Sequence, residues 1–591
     1  MKKVRCFFII SLFMFAGLIN FTACKHYLDI KPSAKLDEEY VFSTISGAEA
    51  AVIGIYSQLL IYQNGPIRFF PYTADDVMAN YNGALDNAMR SIHRYDLRPS
   101  NTQLGPTFDG LYVGIDRANV CIREIPLMSM YTSGSIQQQE GLKRLLGEAL
   151  TLRALFYFDL IRNWGDVPAS FTPASEQTDL FLEKTDRQII YDRIIKDLAQ
   201  ASELLPWRND AGIDVNERIT KGAAKALRAR IALYAGGYSL RKSRVMERVS
   251  NWKDYYRIAN QECKDLDLRR DKHTLNPSFE GVFKTLTSYK IEPNGEVIFE
   301  IGFSVNNAGM LGYFDGPRYQ YPGMISLGGA AQIFLTPSTF YAFEEEDQRR
   351  DVTAAPYQTN FITSVRIGRP LSTLPIGKFR IDWTNPALNS GTLSTGINWP
   401  IIRFSDVLLM LAETENALHE GPTADAVRVF EEVRTRAYGG DATGIGATPT
   451  NEIDFQESIE KERLLEFSGE GIRKYDLIRW NKLAAKIEET REELIKMRDK
   501  TTPYKTTEKP SNMRYMNNSF ELIWHSASSF YAATPSGSLP SGYANVGWIS
   551  SITAAVVEGY APFFEANKNE LLPIPQTARN VNPKLTQDYG Y

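Results

Sequence analysis

The hydrophobic and polar positions along the chain predict a mainly helical protein. Residues 147–163 are apolar on nearly all sides, which indicates a helix buried all round. Residues 186–205 and 251–266 place apolar side chains at helical spacing, which predicts amphipathic helices. Residues 220–238 predict another helix, with a row of small side chains that lets a neighbouring helix approach closely. That row is Ala223, Ala226, Ala229, Ala232 and Ala235.

Further predicted helices in the second half of the chain occur in pairs. One pair is 403–418 with 423–438, and another is 455–468 with 471–483. Paired antiparallel helices with small residues at close contacts are typical of tetratricopeptide repeats, although the 34-residue period is kept only loosely. We therefore expect a mainly α fold, in which about four degenerate tetratricopeptide-like helix pairs form the scaffold.

Two long stretches of the chain show few helical patterns. Residues 302–400 and 503–550 are rich in Gly, Pro, Ser, Asn and aromatic residues, and 296–301 alternates like a short strand. Loops of this length in a compact protein are usually functional or disordered. We expect a loop-rich remainder with few short strands, packed on the helical scaffold.

The N-terminal sequence is typical of a targeting segment. Basic residues occupy positions 2, 3 and 5, residues 6–21 are apolar, and Thr22-Ala23-Cys24 follows like a bacterial lipobox. The pattern predicts a signal peptide over 1–23 and an acylated Cys24, anchored at about 0.8 kcal/mol per buried CH₂. The alternative is an ordinary secretory signal with an incidental cysteine.

The charge, aromatic content and cysteine count limit which kinds of protein fit this chain. A net charge of -4 on 591 residues argues against nucleic acid as a partner. Aromatic residues make up 12% of the chain, with 30 Tyr, which suits partly wet binding surfaces as well as a core. Beyond the signal and Cys24, only Cys121 and Cys263 remain, either paired or, as we expect, buried free thiols.

Several motifs, in their order and spacing, resemble the SusD/RagB family of Bacteroidota outer-membrane lipoproteins. The resemblance covers almost the whole mature chain. Its main segments are Tyr27–Pro32, Thr73–Asp76, Gly147–Pro168, Gly295–Glu300, Glu462–Trp480 and Leu571–Pro575.

The resemblance implies a fold and a function. It implies four tetratricopeptide-like pairs, in an N-terminal part (24–290) and a C-terminal part (291–591) packed as one unit. It also implies a lipid-anchored, surface-exposed protein of the outer membrane that binds oligosaccharides and delivers them to a SusC-like TonB-dependent transporter. Some relatives handle peptides, and neither catalysis nor a cofactor is expected.

Clustered carboxylates raise the alternative of a secreted glycan-degrading enzyme. Glu462, Glu466, Glu470 and Asp476 could supply an acid pair. Arginines are interleaved with them, so ion-pair networks that fix helix packing are the preferred interpretation. The charge run 344–351 is expected to be a solvated helix end. The five histidines are dispersed without metal-ligand spacing, so no metal is expected.

Binding residues are expected in two loops. Sugar recognition needs flat aromatic faces for the ring and planar polar groups for the hydroxyls, and the loops 78–94 and 311–323 offer both. The alternative is that these aromatics pack the loops themselves. The candidates in the first loop are Asn80, Tyr81, Asn82, Asp86 and Arg90, and those in the second are Tyr313, Phe314, Asp315, Arg318, Tyr319 and Tyr321.

Overall fold

A computed structural model describes most of the chain. The described residues are 38–64, 70–80, 88–210, 217–305, 307–318, 333–359, 363–388 and 393–591. The expected signal peptide 1–23 and Cys24 lie outside the described residues.

Helices account for half of the described residues and strands for 9%. The described α-helices, in chain order, are α1 Glu38–Val41, α2 Ile45–Tyr56, α3 Ile61–Asn64, α4 Ala88–His93, α5 Leu104–Glu124, α6 Ser129–Ser133, α7 Ile136–Trp164, α8 Arg187–Leu204, α9 Lys221–Ala235, α10 Trp252–Asp267, α11 Phe279–Thr287, α12 Leu311–Asp315, α13 Pro337–Ala342, α14 Arg349–Thr353, α15 Phe404–His419, α16 Ala424–Ala437, α17 Glu452–Phe467, α18 Arg473–Arg479, α19 Leu483–Asp499, α20 Ala554–Gly559 and α21 Gln576–Val581. The described strands are β1 Val77–Ala79, β2 Tyr238–Leu240, β3 Met246–Arg248, β4 Val297–Ile301, β5 Ile333–Leu335, β6 Tyr357–Thr359, β7 Arg366–Gly368, β8 Trp399–Arg403, β9 Asn512–Met516 and β10 Tyr543–Gly547.

Helix α7 is the centre of the N-terminal scaffold. Ser135 and Gln138 form a capping box at its start, and Gly165, with φ of 77°, ends it. Its second half is buried on every side, as the apolar pattern of 147–163 predicted. Polar side chains within that half are also buried because they are paired, for example Arg153 with Asp197 at 2.6 Å.

The main helices pack in an unbroken series. Helix α7 contacts α5 and α8, α9 contacts α8 and α10, and α15 contacts α10, α16 and α17. Asp186 and Thr220 cap α8 and α9 through their side-chain oxygens. All five alanines of the α9 row are buried, which agrees with the predicted close packing.

The helix predicted over 471–483 is shorter in the structure. Gly471 and Asn481 adopt positive φ values of 73° and 58°, so α18 is confined to Arg473–Arg479 between two left-handed residues. Sequence analysis also missed α19, which follows directly. This pair is therefore less regular than a repeat unit.

The expectation of a solvated helix end at 344–351 is wrong for its central charges. Asp347 and Arg349 are both 1% exposed. Arg349 bonds to Asp347 at 2.8 Å and to Glu462 at 2.5 Å. The charge run faces a carboxylate-rich helix, and burial follows because each charge has an opposite partner.

Strand β4 forms as the alternation at 296–301 predicted, but both of its faces are buried. It pairs antiparallel with β8, and all five of its residues lie in the interior. The polar residues of this segment stay inside because they have partners. Glu296 accepts a hydrogen bond from Arg403 at 2.8 Å, and Glu300 accepts one from Asn398 at 3.1 Å.

The loop-rich stretch 503–550 contains structure that the pattern did not predict. Strands β9 and β10 pair antiparallel over Asn512–Met516 and Tyr543–Gly547. Trp548 is fully buried beside this hairpin. The aromatic content of this segment thus serves partly as core.

Long-range contacts join the two halves of the chain in one hydrophobic core. The Trp164 indole N–H donates to the Pro573 carbonyl at 3.0 Å. The Tyr475 hydroxyl donates to Asn163 at 2.6 Å. The two remaining cysteines, Cys121 and Cys263, are buried and free, as expected.

By length and composition, Ile45–Gln63 is the one described helical stretch that could cross a membrane. Its residues Ala48, Val52 and Ile55 are buried, and α2 packs against α5 and α7. These contacts fit a helix of the folded scaffold.

Candidate functional site

The first predicted binding loop leaves strand β1, and helix α12, which begins the second, contacts strand β5. Strand β1 pairs antiparallel with β5, with Val77 opposite Leu335 and Ala79 opposite Ile333. Asn80 follows β1 at the same end of the sheet at which Ile333 begins β5. Since α12 contacts β5, the described starts of both loops lie beside the β1–β5 pair.

Buried hydrogen bonds hold β1 in place. The Asp75 carbonyl accepts hydrogen bonds from the hydroxyls of Thr336 and Thr339. The Asp76 carboxylate accepts from the Gly469 N–H at 3.2 Å. Burial and the neighbouring Asp75 raise the pKa of Asp76 to about 7. The Thr73–Asp76 motif thus acts structurally, by fixing the strand from which the first loop departs.

The second loop starts as a short helix. The Met310 N–H donates to the Gln63 carbonyl at 3.2 Å, which sets the start of α12 against the end of α3. Tyr313 and Phe314 stack edge to face with ring centroids 5.0 Å apart, and both are half-buried. This pair is placed where one face can pack and another can meet a ligand.

The candidate residues fall into three groups. Asn80, Arg90, Tyr313 and Phe314 are half-buried and Arg318 is exposed, all on the described parts of the two loops. Asp315 is 0% exposed, so its carboxylate lies in the interior. The candidates that lie outside the described residues are Tyr81, Asn82, Asp86, Tyr319 and Tyr321.

The β6–β7 pair connects Arg318 to a further exposed aromatic residue. Thr359 and Arg366 are directly opposite in the β6–β7 pair. The Thr359 N–H donates to the Arg318 carbonyl at 2.9 Å, and the Arg366 N–H donates to the Ser519 carbonyl at 2.8 Å. The next residue, Phe520, is 72% exposed. Sequence analysis missed Phe520, although a single aromatic in the polar run Asn517–Glu521 is an available signal.

The clustered carboxylates of the enzyme alternative are buried in ion pairs. The Arg403 guanidinium reaches Glu466 and Glu470, each at 2.8 Å. Arg463 bonds to Asp476 at 2.8 Å. Neighbouring arginines hold the pKa of Glu466 below its usual range although burial opposes this. The preferred interpretation, a network that fixes helix packing, is confirmed for these residues.

A second candidate surface is a groove of about 410 Å³ between α5 and the segment 168–182. Its polar groups serve the fold. The Tyr112 hydroxyl donates to the Pro168 carbonyl at 2.7 Å, and Tyr157 donates to the Ser170 carbonyl at 2.6 Å. The Asn119 amide also donates to the Ser170 carbonyl, at 3.1 Å. These groups are committed to internal bonds, so the groove is less suited to sugar hydroxyls. No cluster of three or more potential metal ligands occurs within the described ranges.

Comparison with known proteins gives consistent matches along the chain. The chain is 24% identical over 506 residues to the SusD-like protein P25 of Formosa agariphila, covering 78% of this chain and 87% of that protein. A SusD homolog from Bacteroides thetaiotaomicron superposes with a TM-score of 0.72 at 21% identity, covering 93% of this chain and 98% of the other.

A second solved structure carries a ligand. Surface glycan-binding protein A from Bacteroides thetaiotaomicron, in complex with laminarihexaose, superposes with a TM-score of 0.60 at 18% identity. The match covers 92% of this chain and 99% of that one. At this identity the likeness shows a shared fold.

Two family models match the chain. The model described as starch-binding and associating with the outer membrane matches residues 26–233. The model described as the SusD family matches residues 295–591, slightly more than half of the chain. The chain therefore belongs to the SusD family, a family of non-catalytic glycan-binding proteins.

Proposed function

We propose that this protein binds oligosaccharides at the outer-membrane surface and delivers them to a SusC-like TonB-dependent transporter. The observation that carries the proposal is that the first candidate loop leaves the β1–β5 pair and that α12, which begins the second, contacts β5. Aromatic faces and planar polar groups meet there, which is the combination that a sugar ring and its hydroxyls require.

The platform has an aromatic and a polar part. Tyr313 and Phe314 supply the half-buried rings on α12, and Phe520 supplies an exposed ring that the β6–β7 pair connects to Arg318. The relative solved with laminarihexaose makes β-glucan oligosaccharides the first ligands to test.

Membrane attachment is the second part of the proposal. Cys24 carries the lipid after removal of residues 1–23, and the parts 24–290 and 291–591 form one unit above the membrane. Mass spectrometry of the membrane-extracted protein should find an acylated Cys24 at the mature N-terminus. A mature chain that begins elsewhere would contradict the anchor.

The decisive experiment is calorimetric titration of the purified protein against glycan and peptide panels, with product analysis of each mixture. Saturable binding of an oligosaccharide without cleavage supports the proposal. Binding confined to peptides would favour a peptide-binding relative of the same fold. Cleavage products would favour the glycan-degrading alternative.

A further inference from the structure

A pocket of about 440 Å³ lies between α2, the 3-10 turn Ser57–Leu60 and the end of β4. Its wall is aliphatic and aromatic, formed by Ile53, Tyr56, Leu59 and Leu60. Ile53 and Leu60 are each 51% exposed, so the wall continues to the surface. The charged lining residues are Glu217, Arg218 and Glu300.

Glu300 is a buried carboxylate with one unused oxygen. Its side chain lines the pocket although the residue is only 3% exposed. Oε1 accepts a hydrogen bond from Asn398 Nδ2 at 3.1 Å. No donor among the described residues lies within hydrogen-bond distance of Oε2. A buried carboxylate oxygen without a hydrogen-bond donor destabilises the folded protein. A ligand that supplies a donor would remove this cost.

A second carboxylate is held beside the first. Asn398 Nδ2 also donates to Glu217 Oε1 at 2.9 Å, while its own Oδ1 accepts from the Phe303 N–H at 2.8 Å. The amide is therefore oriented with its donor towards both carboxylates. A Cβ at Gly302 would lie 2.4 Å from Glu217 Cδ, so the glycine leaves room for the Glu217 carboxylate in this position.

The nearby cation is committed elsewhere. Arg218 donates to the buried Glu148 at 2.7 Å and lies 3.6 Å from Glu49. Glu217 and Glu300 thus leave a negative charge in a pocket with apolar walls.

The pKa of Glu300 fits this arrangement. Burial, together with the carboxylates of Glu217 and Glu292, raises it to about 7. The Asn398 hydrogen bond and Arg208 act in the opposite direction. A bound cation would stabilise the ionised form of Glu300.

We propose that this pocket receives a lysine side chain of a polypeptide partner. The ammonium group would donate to Glu300 Oε2 and to Glu217, and the methylene chain would lie along Tyr56, Leu59 and Leu60. A lysine combines these two parts, since its charge sits on an apolar stem. The inference rests on the residues of this pocket alone and does not depend on the proposed function.

Other cations fit the pocket less well. Arginine recognition favours a coplanar pair of oxygens on one carboxylate, whereas the acceptors here belong to two separate side chains. A divalent metal prefers oxygen ligands, but Asn398 points a donor between the carboxylates. An amino sugar would place hydroxyl groups against the aliphatic wall without partners.

Saturation-transfer NMR can test the site with the peptide Ac-Ala-Lys-Ala-NH₂ and its norleucine analogue. We expect transfer to the lysine side-chain protons, with weaker binding of the uncharged analogue. Glu300→Gln should weaken the lysine peptide at least about tenfold, because a hydrogen bond between charged groups is worth at least that factor. Glu217→Gln, at an exposed position, should weaken it as well and guards against a folding defect in the first variant.

Glu420→Gln is the matched control, since it removes an exposed carboxylate outside the pocket and should leave binding unchanged. Equal binding of the two peptides, or unchanged binding in both pocket variants, would overturn the proposal. De-N-acetylated chitotriose forms a separate arm. If it binds in a Glu300-dependent manner and the lysine peptide does not, the assignment to a polypeptide is wrong.

Discussion

Arg473 forms a bidentate ion pair with Asp75, which lies almost 400 positions earlier in the chain. Its Nε and NH2 donate to the two carboxylate oxygens at 2.8 and 2.7 Å. Both side chains are at least nine-tenths buried. The ion pair ties α18 to the segment that leads into β1, and so to the β1–β5 pair beside which both candidate loops begin.

Asp75→Asn should destabilise the protein strongly. It leaves the Arg473 charge buried without its partner, and breaking a buried pair in this way typically costs about 3–5 kcal/mol. Denaturant unfolding should show this loss, together with weaker oligosaccharide binding because β1 shifts. Asp254→Asn, in an exposed pair with Arg257, is the control and should change stability by less than about 1 kcal/mol. A variant as stable as the parent would show that the pair does not secure β1.

The double change Tyr313→Ala and Tyr319→Ala should weaken oligosaccharide binding at least about tenfold. A ring stacked on a sugar excludes water from an apolar face, and truncation removes that contact outright. The melting temperature should change little, because Tyr313 is only half-buried. Calorimetry against the ligand found in the screen measures the effect.

Tyr40→Ala serves as the control for that experiment. Tyr40 is 69% exposed on α1, outside both loops. Its loss should leave affinity unchanged. If both variants bind like the parent, the aromatic residues of the second loop do not form the platform.

Glu470→Gln should lower stability and spare binding. Glu470 accepts from Lys378 at 2.6 Å and from Arg403 at 2.8 Å, and all three residues are buried. Removing the carboxylate charge leaves two cations with less compensation, at a cost of about 3 kcal/mol or more. Calorimetric unfolding and ligand titration of the folded fraction measure the two effects. Glu489→Gln, at an exposed pair, is the stability control. A folded Glu470 variant with normal stability and lost binding would contradict the structural role.

The stability difference between Glu300→Gln and the parent should depend on pH. The pKa of Glu300 is raised in the fold to about 7 from 4.5, so the folded state binds the extra proton between these values. The contribution of Glu300 to the free energy of unfolding of the parent is therefore greatest below pH 4.5 and is lost as the pH rises through 7. The variant lacks this loss, so its melting temperature relative to the parent should increase from pH 5 to pH 8. A constant difference across this range would show that Glu300 titrates normally.

The scaffold was largely predictable from the sequence. The apolar pattern of 147–163, the capping residues Asp186 and Thr220 and the alanine row of α9 are local signals, and local signals determine a helix and its buried face. The interleaved charges near Glu466 also pointed correctly to ion pairs, and the pair of Arg463 with Asp476 is local, whereas Glu466 itself pairs with the distant Arg403 and Arg436.

Charges with distant partners were not predictable in the same way. The burial of Asp347 and Arg349 depends on Glu462, more than a hundred residues later in the chain. The local pattern of 344–351 therefore predicted a solvated helix end. The position of Phe520 is set in part by its neighbour Ser519, which accepts a hydrogen bond from Arg366 of β7, and no local sequence pattern predicted this contact.

The sequence by itself determined the helices, their caps and the residue types suited to sugar binding, since these follow from spacing along the chain. Only the tertiary structure decided which of those residues share a surface. Backbone pairing between β1 and β5 joins segments more than 250 positions apart. Likewise, Asn398 aligns Glu217 with Glu300 across long intervals of sequence. Such contacts form because buried polar groups must find partners, and the chain fold sets which partners are within reach.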